Sequence, residues 1–246
     1  MQYNRRKFIK TLVVTAGAVM TSNLMGCNNS ADEVDVEVLS TMPDTIIGSQ
    51  FFPQSVVSGD PKPDSVILWT RVEDGIDVDI ALTLQVAVDE SFSQLVVEQE
   101  FTALALADNC LKIRVTELSA GQHYYYRFVY QKDGTNYLSK NGRTKTAPST
   151  DSDVKVKFAY VSCQDYIGRY YNTYLSVLDN DDLDFVVHLG DYIYETTGDP
   201  LFQESTDDRS ITFNDSENVL TIGVGEKTTQ AANSLDNYRQ LYKEYR

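Results

Sequence analysis

Two short apolar runs, residues 154–161 and 185–189, constrain the second half of this chain more than any other feature. The first reads Val-Lys-Val-Lys-Phe-Ala-Tyr-Val and leads into Ser162 and Cys163. The second reads Phe-Val-Val-His-Leu and leads into Gly190 and Asp191. Between them Tyr171, Tyr174, Leu175 and Leu178 recur at helical spacing, and an Asp-Asn-Asp-Asp stretch at 179–182 breaks the helix. The 28 residues from Cys163 to Asp191 suit one strand–helix–strand unit of about 30 residues. Parallel strands in such a unit bring their carboxyl ends to one edge, where ligands of open α/β sheets bind. The continuous apolar character of 185–189 is that of a strand buried on both faces. Cys163, Asp191 and Tyr194 are therefore expected to converge.

Residues 51–148 carry a different pattern. Ile80, Leu82, Leu84, Val86 and Val88 alternate with other residues, residues 66–71 are β-prone, and residues 123–130 are rich in aromatics. Gly-Asp-Pro at 59–61, Glu-Asp-Gly at 73–75 and Lys-Asp-Gly at 132–134 read as turns between these runs. Short strands with regular turns predict a β-sandwich. Residues 118–124, Leu-Ser-Ala-Gly-Gln-His-Tyr, resemble the corner of fibronectin-type modules, where a Tyr hydroxyl bonds the backbone of the turn. Tyr124 and Tyr126 share one strand face and Tyr125 the other, which predicts packing rather than a sugar-binding platform. His123 reads as a surface strand residue, and His188, inside a strand, as a satisfied core histidine.

At 246 residues the chain is long enough for about two domains. The net charge is −15, and four of the 21 basic residues, Arg5, Arg6, Lys7 and Lys10, lie in the first ten positions. Without the acid-free first 26 residues, 17 basic residues face 36 acidic ones. Such a surface repels nucleic acid and anionic membranes, so no nucleic-acid-binding surface is expected, and it attracts divalent cations. Two histidines are too few for a His-built metal site. Arg5 and Arg6 precede an apolar run of about 14 residues, short of the roughly 20 that span a bilayer. This resembles a twin-arginine export signal, which implies the twin-arginine translocon as a partner. Leu-Met-Gly-Cys at 24–27 resembles a bacterial lipobox, in which Cys27 would be lipidated and anchor an exported protein to the membrane through lipid only. The organisation expected is a signal at 1–27, a polar tether at 28–50, the sandwich at 51–148 and a second domain at 149–246. The three cysteines form no disulfide framework, although one bridge between Cys110 and Cys163 is possible.

A carboxylate, a thiol and a phenol at one sheet edge suit phosphate-ester hydrolysis. That reaction needs an activated oxygen nucleophile and neutralisation of developing charge, and a metal pair provides both. Asp191 can bridge two hard cations, while a phenolate and a thiolate favour trivalent iron over magnesium. The motif Gly-Asp-x-x-Tyr, Gly190 to Tyr194, resembles the iron-binding segment of purple acid phosphatases within the calcineurin-like metallophosphoesterases. Val-Ser-Cys-Gln at 161–164, His-Leu-Gly-Asp-Tyr-Ile-Tyr-Glu at 188–195, Gln-Ser-Val-Val-Ser-Gly-Asp-Pro at 54–61 and Leu-Trp-Thr-Arg at 68–71 more closely resemble the alkaline phosphatase D (PhoD-type) family. The resemblance runs from about residue 51 to 246. It implies a mixed fold: an N-terminal fibronectin-like β-sandwich followed by the first part of an α/β metallophosphoesterase domain. It also implies iron held by Cys163 and Tyr194, Asp191 bridging iron to calcium, and a phosphate ester, mono- or diester, as substrate.

The family draws further Asn, Asp and His ligands from downstream motifs, and this sequence has no Gly-Asn-His-like, Asp-Asp-His-like or His-x-His motif. An N-terminal fragment of a larger enzyme, inactive alone, is therefore expected. The alternative is a cell-surface lipoprotein that binds without catalysis. Residues 234–245 predict a helix with Ser234 as N-cap and Leu235, Tyr238, Leu241, Tyr242 and Tyr245 as its apolar face. Residues 196–233 read as a long polar loop, a rim over the site or a disordered stretch.

Overall fold

A computed structural model describes residues 44–203, 209–225 and 227–246. The export and lipidation positions Arg5, Arg6 and Cys27 lie outside the described residues.

Nine strands make the first module: β1 (Asp44–Ile47), β2 (Val56–Lys62), β3 (Ser65–Arg71), β4 (Ile80–Ala87), β5 (Leu95–Ala103), β6 (Cys110–Val115), β7 (His123–Lys132), β8 (Thr135–Leu138) and β9 (Gly142–Lys145). One sheet runs β1-β8-β7-β4-β5 with β9 also on β7, and the other runs β2-β3-β6. Alternation builds the space between them. Ile80, Leu82, Leu84 and Val86 of β4 meet Tyr124, Tyr126, Phe128 and Tyr130 of β7 and Val66 and Leu68 of β3 in one cluster of sixteen buried side chains. Asp133 (φ 50°) and Gly134 (φ 76°) form the two-residue β7–β8 hairpin, whose primed turn needs positive φ at both positions. The corner expected at residues 118–124 is present, with Ser119 N–H donating to Tyr124 Oη at 2.8 Å.

Two expectations change here. Of the stretch expected as a tether, residues 28–43 lie outside the described residues, and Asp44–Ile47 is a strand that pairs in parallel with Thr135–Leu138. Gly-Asp-Pro at 59–61 separates no strands. It lies within β2, where the register to β3 shifts between Gly59 and Lys62, and Asp60 has φ 45°. Proline is tolerated at such a bulge because the partner strand loses a bond there in any case.

The second region contains the strand–helix–strand unit: β10 (Phe158–Val161), α1 (Thr173–Leu178) and β11 (Phe185–His188), the two strands parallel and in register from Phe158↔Phe185 to Val161↔His188. Its packing departs from expectation. Residues 154–157 lie outside β10, and β11 is not buried on both faces. Phe158, Tyr160, Phe185 and Val186 are exposed, as are Leu175 and Leu178 of the one-and-a-half-turn α1. A two-stranded sheet and a six-residue helix are too small to cover both faces of the pair. The stretch 196–233 is no plain loop. It holds a hairpin, β12 (Val219–Val224) with β13 (Lys227–Ala232), and Thr196 bridges to Ala231. Ser234 caps α2 (Leu235–Tyr245), accepting from Asn237 N–H at 3.2 Å. Of the apolar face expected on α2, Leu241 and Tyr245 are buried in a cluster with Ile167, Ile211, Phe213 and Ala232, whereas Leu235 and Tyr242 are exposed.

The two regions meet at the loop before β11 and at α2, where Lys243 pairs with Asp108 and Arg246 lies over the Trp69 ring. Lys145 of β9 pairs with Asp184, whose other oxygen accepts from Lys157 N–H at 2.8 Å, and Arg143 donates to Asp181 O at 2.9 Å. The Lys145 ammonium holds the Asp184 carboxyl below its usual range. Cys110 and Cys163 are both free thiols, so the possible bridge between them does not form.

Candidate metal centre

The parallel register places the ends of β10 and β11 side by side, and the pairing continues past both strands. Leu189 N–H donates to Val161 O (2.8 Å), Cys163 N–H to Gly190 O (3.1 Å) and Gln164 N–H to Asp191 O (3.1 Å). The backbone then turns sharply. Cys163 has φ 61° and Asp191 φ 52°, conformations that cost a non-glycine residue free energy and that cluster at functional sites. Gly190, at φ 128°, takes the one conformation here that requires glycine.

The three side chains singled out from the sequence come together. Cys163 Sγ lies 3.5 Å from Asp191 Oδ2, and Tyr194 Oη lies 3.4 Å from the same oxygen. Cys163 and Asp191 are exposed and Tyr194 is half-buried. Burial, then the neighbouring thiol and carboxylate, pushes the Tyr194 phenol up to about 12. The metal-free phenol is therefore protonated at neutral pH and donates to Asp191. Two cavities of about 740 and 1290 Å³ lie elsewhere, and neither is lined by any of the three. The cluster is an open edge, and its claim to be a site rests on donor chemistry rather than on concavity.

That donor set fits one cation. Among the described residues no three His, Cys, Asp or Glu side chains group as metal ligands, and the pair Cys163–Asp191 gains its third donor from the Tyr194 phenol. A thiolate, a carboxylate and a phenolate would present three anionic atoms to a hard, highly charged ion. They do not supply two complete coordination shells.

The histidines behave differently from expectation. His188 accepts from Gly190 N–H at Nδ1 (3.3 Å), but its Nε2 is buried with no hydrogen-bond partner among the described residues, so it is only half satisfied. His123 is partly buried, and its Nδ1 likewise lacks a partner there. Burial, with Lys145 and Arg143 nearby, pushes its pKa down. Sequence reasoning missed Asp165 and Gln203, both buried and polar beside the site. The adjacency of Asp165 to Cys163 was the only signal, and nothing in the polar stretch around Gln203 marks it as interior.

Residues 39–148 match the family described as PhoD-like phosphatase, N-terminal domain, and residues 158–246 match PhoD-like phosphatase. Alkaline phosphatase D of Bacillus subtilis (strain 168) is 34% identical over 201 residues, covering 78% of this chain and 32% of that protein. A solved structure of PhoD superposes with a TM-score of 0.62 at 28% identity, covering 84% of this chain and 36% of that one. The sixth fibronectin type III domain of a human fibronectin type III domain containing protein matches at 16% identity, covering 53% of this chain and 100% of that domain. Its TM-score of 0.30 is too low to weigh. The chain spans about a third of the length of the Bacillus alkaline phosphatase D and of the solved PhoD chain.

Proposed function

The chain belongs to the PhoD-like phosphatases, and on that premise we propose that it forms part of an exported, metal-dependent phosphoric ester hydrolase acting on mono- or diesters. The observation that carries this reading is the meeting of Cys163, Asp191 and Tyr194 at the ends of two parallel strands, within 3.5 Å of one carboxylate oxygen. Cys163 and Tyr194 would hold iron, with Asp191 shared between iron and calcium. A cation there would supply Lewis acidity toward a phosphoryl oxygen and lower the pKa of an attacking water. The chain's own contribution is to fix three anionic donors at one edge and to hold Asp191 and Cys163 in strained turns that pre-set their direction.

Residues 149–246 would then be the first part of an α/β metallophosphoesterase domain, with the sandwich as its N-terminal module. Both cations need more donors than three, so residues 1–246 alone are expected to show little or no turnover of p-nitrophenyl phosphate or its bis-ester, with iron and calcium present. Robust metal-dependent turnover by this chain would contradict that ligand count. A longer natural polypeptide that binds no metal and stays inert would instead favour a binding lipoprotein.

Arg5 and Arg6 would be read by the twin-arginine translocon and Cys27 would carry the lipid anchor. Lysine keeps the charge but lacks the planar guanidinium fork. Arg5→Lys with Arg6→Lys is therefore expected to leave the protein in the cytoplasm, and Cys27→Ser to release exported protein from the membrane fraction. Unchanged fractionation of either variant removes the corresponding assignment.

A further inference from the structure

The loops that carry Cys163 and Tyr194 are tied together by a buried carboxylate two residues beyond Cys163. Asp165 is 6% exposed. Its Oδ1 accepts from Ile167 N–H (3.2 Å), Gln203 Nε2 (3.0 Å) and Tyr245 Oη (3.4 Å), and its Oδ2 accepts from Gly168 N–H (3.0 Å). All four donors are neutral. Gln203 turns its other end to the second loop, where Oε1 accepts from Thr196 Oγ1 (2.8 Å), Gly198 N–H (3.0 Å) and Asp199 N–H (3.0 Å). Thr196 is two residues beyond Tyr194. A closed path therefore runs from Cys163 through Asp165, Gln203 and Thr196 to Tyr194, and the site closes it.

The arrangement is specific to these groups. A side chain at Gly168 would place Cβ 2.6 Å from Asp165 Oδ2 and 3.1 Å from Gln203 Cα, so the carboxylate occupies the space that glycine leaves. A carboxyl group buried among neutral donors is costly to desolvate, and apolar residues would fill that volume at lower cost. What apolar residues cannot do is accept four hydrogen bonds from three segments at once. Asparagine cannot either, because its amide nitrogen would face one of the donors.

We propose that Asp165 is a positioning residue, which through Gln203 and Tyr245 sets the spacing between Cys163 and Tyr194. What it positions rests on the metal reading above, whereas the tie is a property of the chain without metal. The test is hydrogen exchange on the full chain with Asp165→Asn. The amides of Cys163 and Gln164, bonded to Gly190 O and Asp191 O, and those of Gly198 and Asp199, bonded to Gln203, are the reporters. They are expected to exchange about tenfold faster or more, with β3, β4 and β7 unchanged. Tyr245→Phe removes the longest bond to Asp165 together with the hydroxyl's bonds to the backbone of Tyr166 and Tyr194, and is expected to loosen the same four amides. It also decides the matter, together with Gly168→Ala, should Asp165→Asn not fold. Unchanged exchange at the four reporters in these variants, or an increase spread evenly over the chain, overturns the proposal. A ferric titration of the same samples separates the two claims. Ferric affinity is expected to fall about tenfold in Asp165→Asn, in step with the looser loops. A wild-type chain that takes up no ferric ion overturns the metal reading and not the tie, which the exchange pattern decides by itself.

Discussion

The sandwich and the region after it both contain strongly apolar strands, yet one buries them and the other does not. In the sandwich, Phe128 and Leu68 are fully covered, and the first core cluster holds sixteen buried side chains. In the second region the cluster holds six, and the parallel pair leaves Phe158 52% and Tyr160 68% exposed. The cause is topological. Antiparallel strands joined by short turns place their own partners within a few residues, and two facing sheets cover each other's inner faces. A parallel pair needs layers on both faces, and the described residues do not supply both to β10 and β11. A strand's hydrophobicity therefore states what it requires, and only topology states whether the requirement is met locally.

Truncating one phenylalanine in each region should have very unequal effects. Phe128→Ala should destabilise the sandwich by about 3–5 kcal/mol, the cost of a cavity in a packed core. Phe158→Ala loses only a half-exposed ring stacked on Phe185 at 5.1 Å, which should cost under about 1.5 kcal/mol. Chemical denaturation followed by Trp69 fluorescence for the first and far-ultraviolet circular dichroism for the second measures both. Equal losses would mean that the second region is packed as densely as the sandwich.

A smaller effect sharpens the electrostatic side. Asp74 accepts from Lys132 Nζ at 2.5 Å and from Tyr130 Oη at 2.7 Å, which hold its carboxyl below the usual 3.8. A lowered folded pKa adds stability above about 3.8 that is lost as pH falls through the folded value. Asp74→Asn should cost about 1–2 kcal/mol at pH 7, the half-buried Lys132 arm being discounted for screening, and progressively less as pH falls below 3.8. At the other end, burial and Asp74 push the Tyr130 phenol up to about 12, so this bond persists through the alkaline range and is lost only as pH rises through that value. A penalty for Asp74→Asn that does not change with pH would contradict this.

Much of this was legible in the sequence because the signals were local. Alternation in residues 80–88 and 123–130, the Asp-Gly turn at 133–134, the Tyr124 corner and the Ser234 cap each involve residues close in the chain, and each is present. The convergence of Cys163, Asp191 and Tyr194 was legible too, because one crossover fixes which strand ends meet. The buried tie through Asp165 and Gln203 was not, since 38 residues separate them and a buried Gln looks like any polar loop residue. The hairpin β12–β13 was hidden by Thr, Gly and Lys, which read as loop until they pair. β1 was lost in a polar stretch because its partner, β8, lies some 90 residues away.

Ferric titration of the purified chain with visible spectroscopy decides whether Cys163, Asp191 and Tyr194, at the ends of β10 and β11, hold one metal ion as proposed. A phenolate bound to ferric iron gives a charge-transfer band, which calcium or magnesium cannot give. One ferric ion per chain is expected to bind with a visible band, and Tyr194→Phe is expected to remove the phenolate component of that band and weaken binding, leaving only the thiolate contribution of Cys163. An iron-loaded wild type without colour, or a spectrum left unchanged by Tyr194→Phe, would contradict this ligand set.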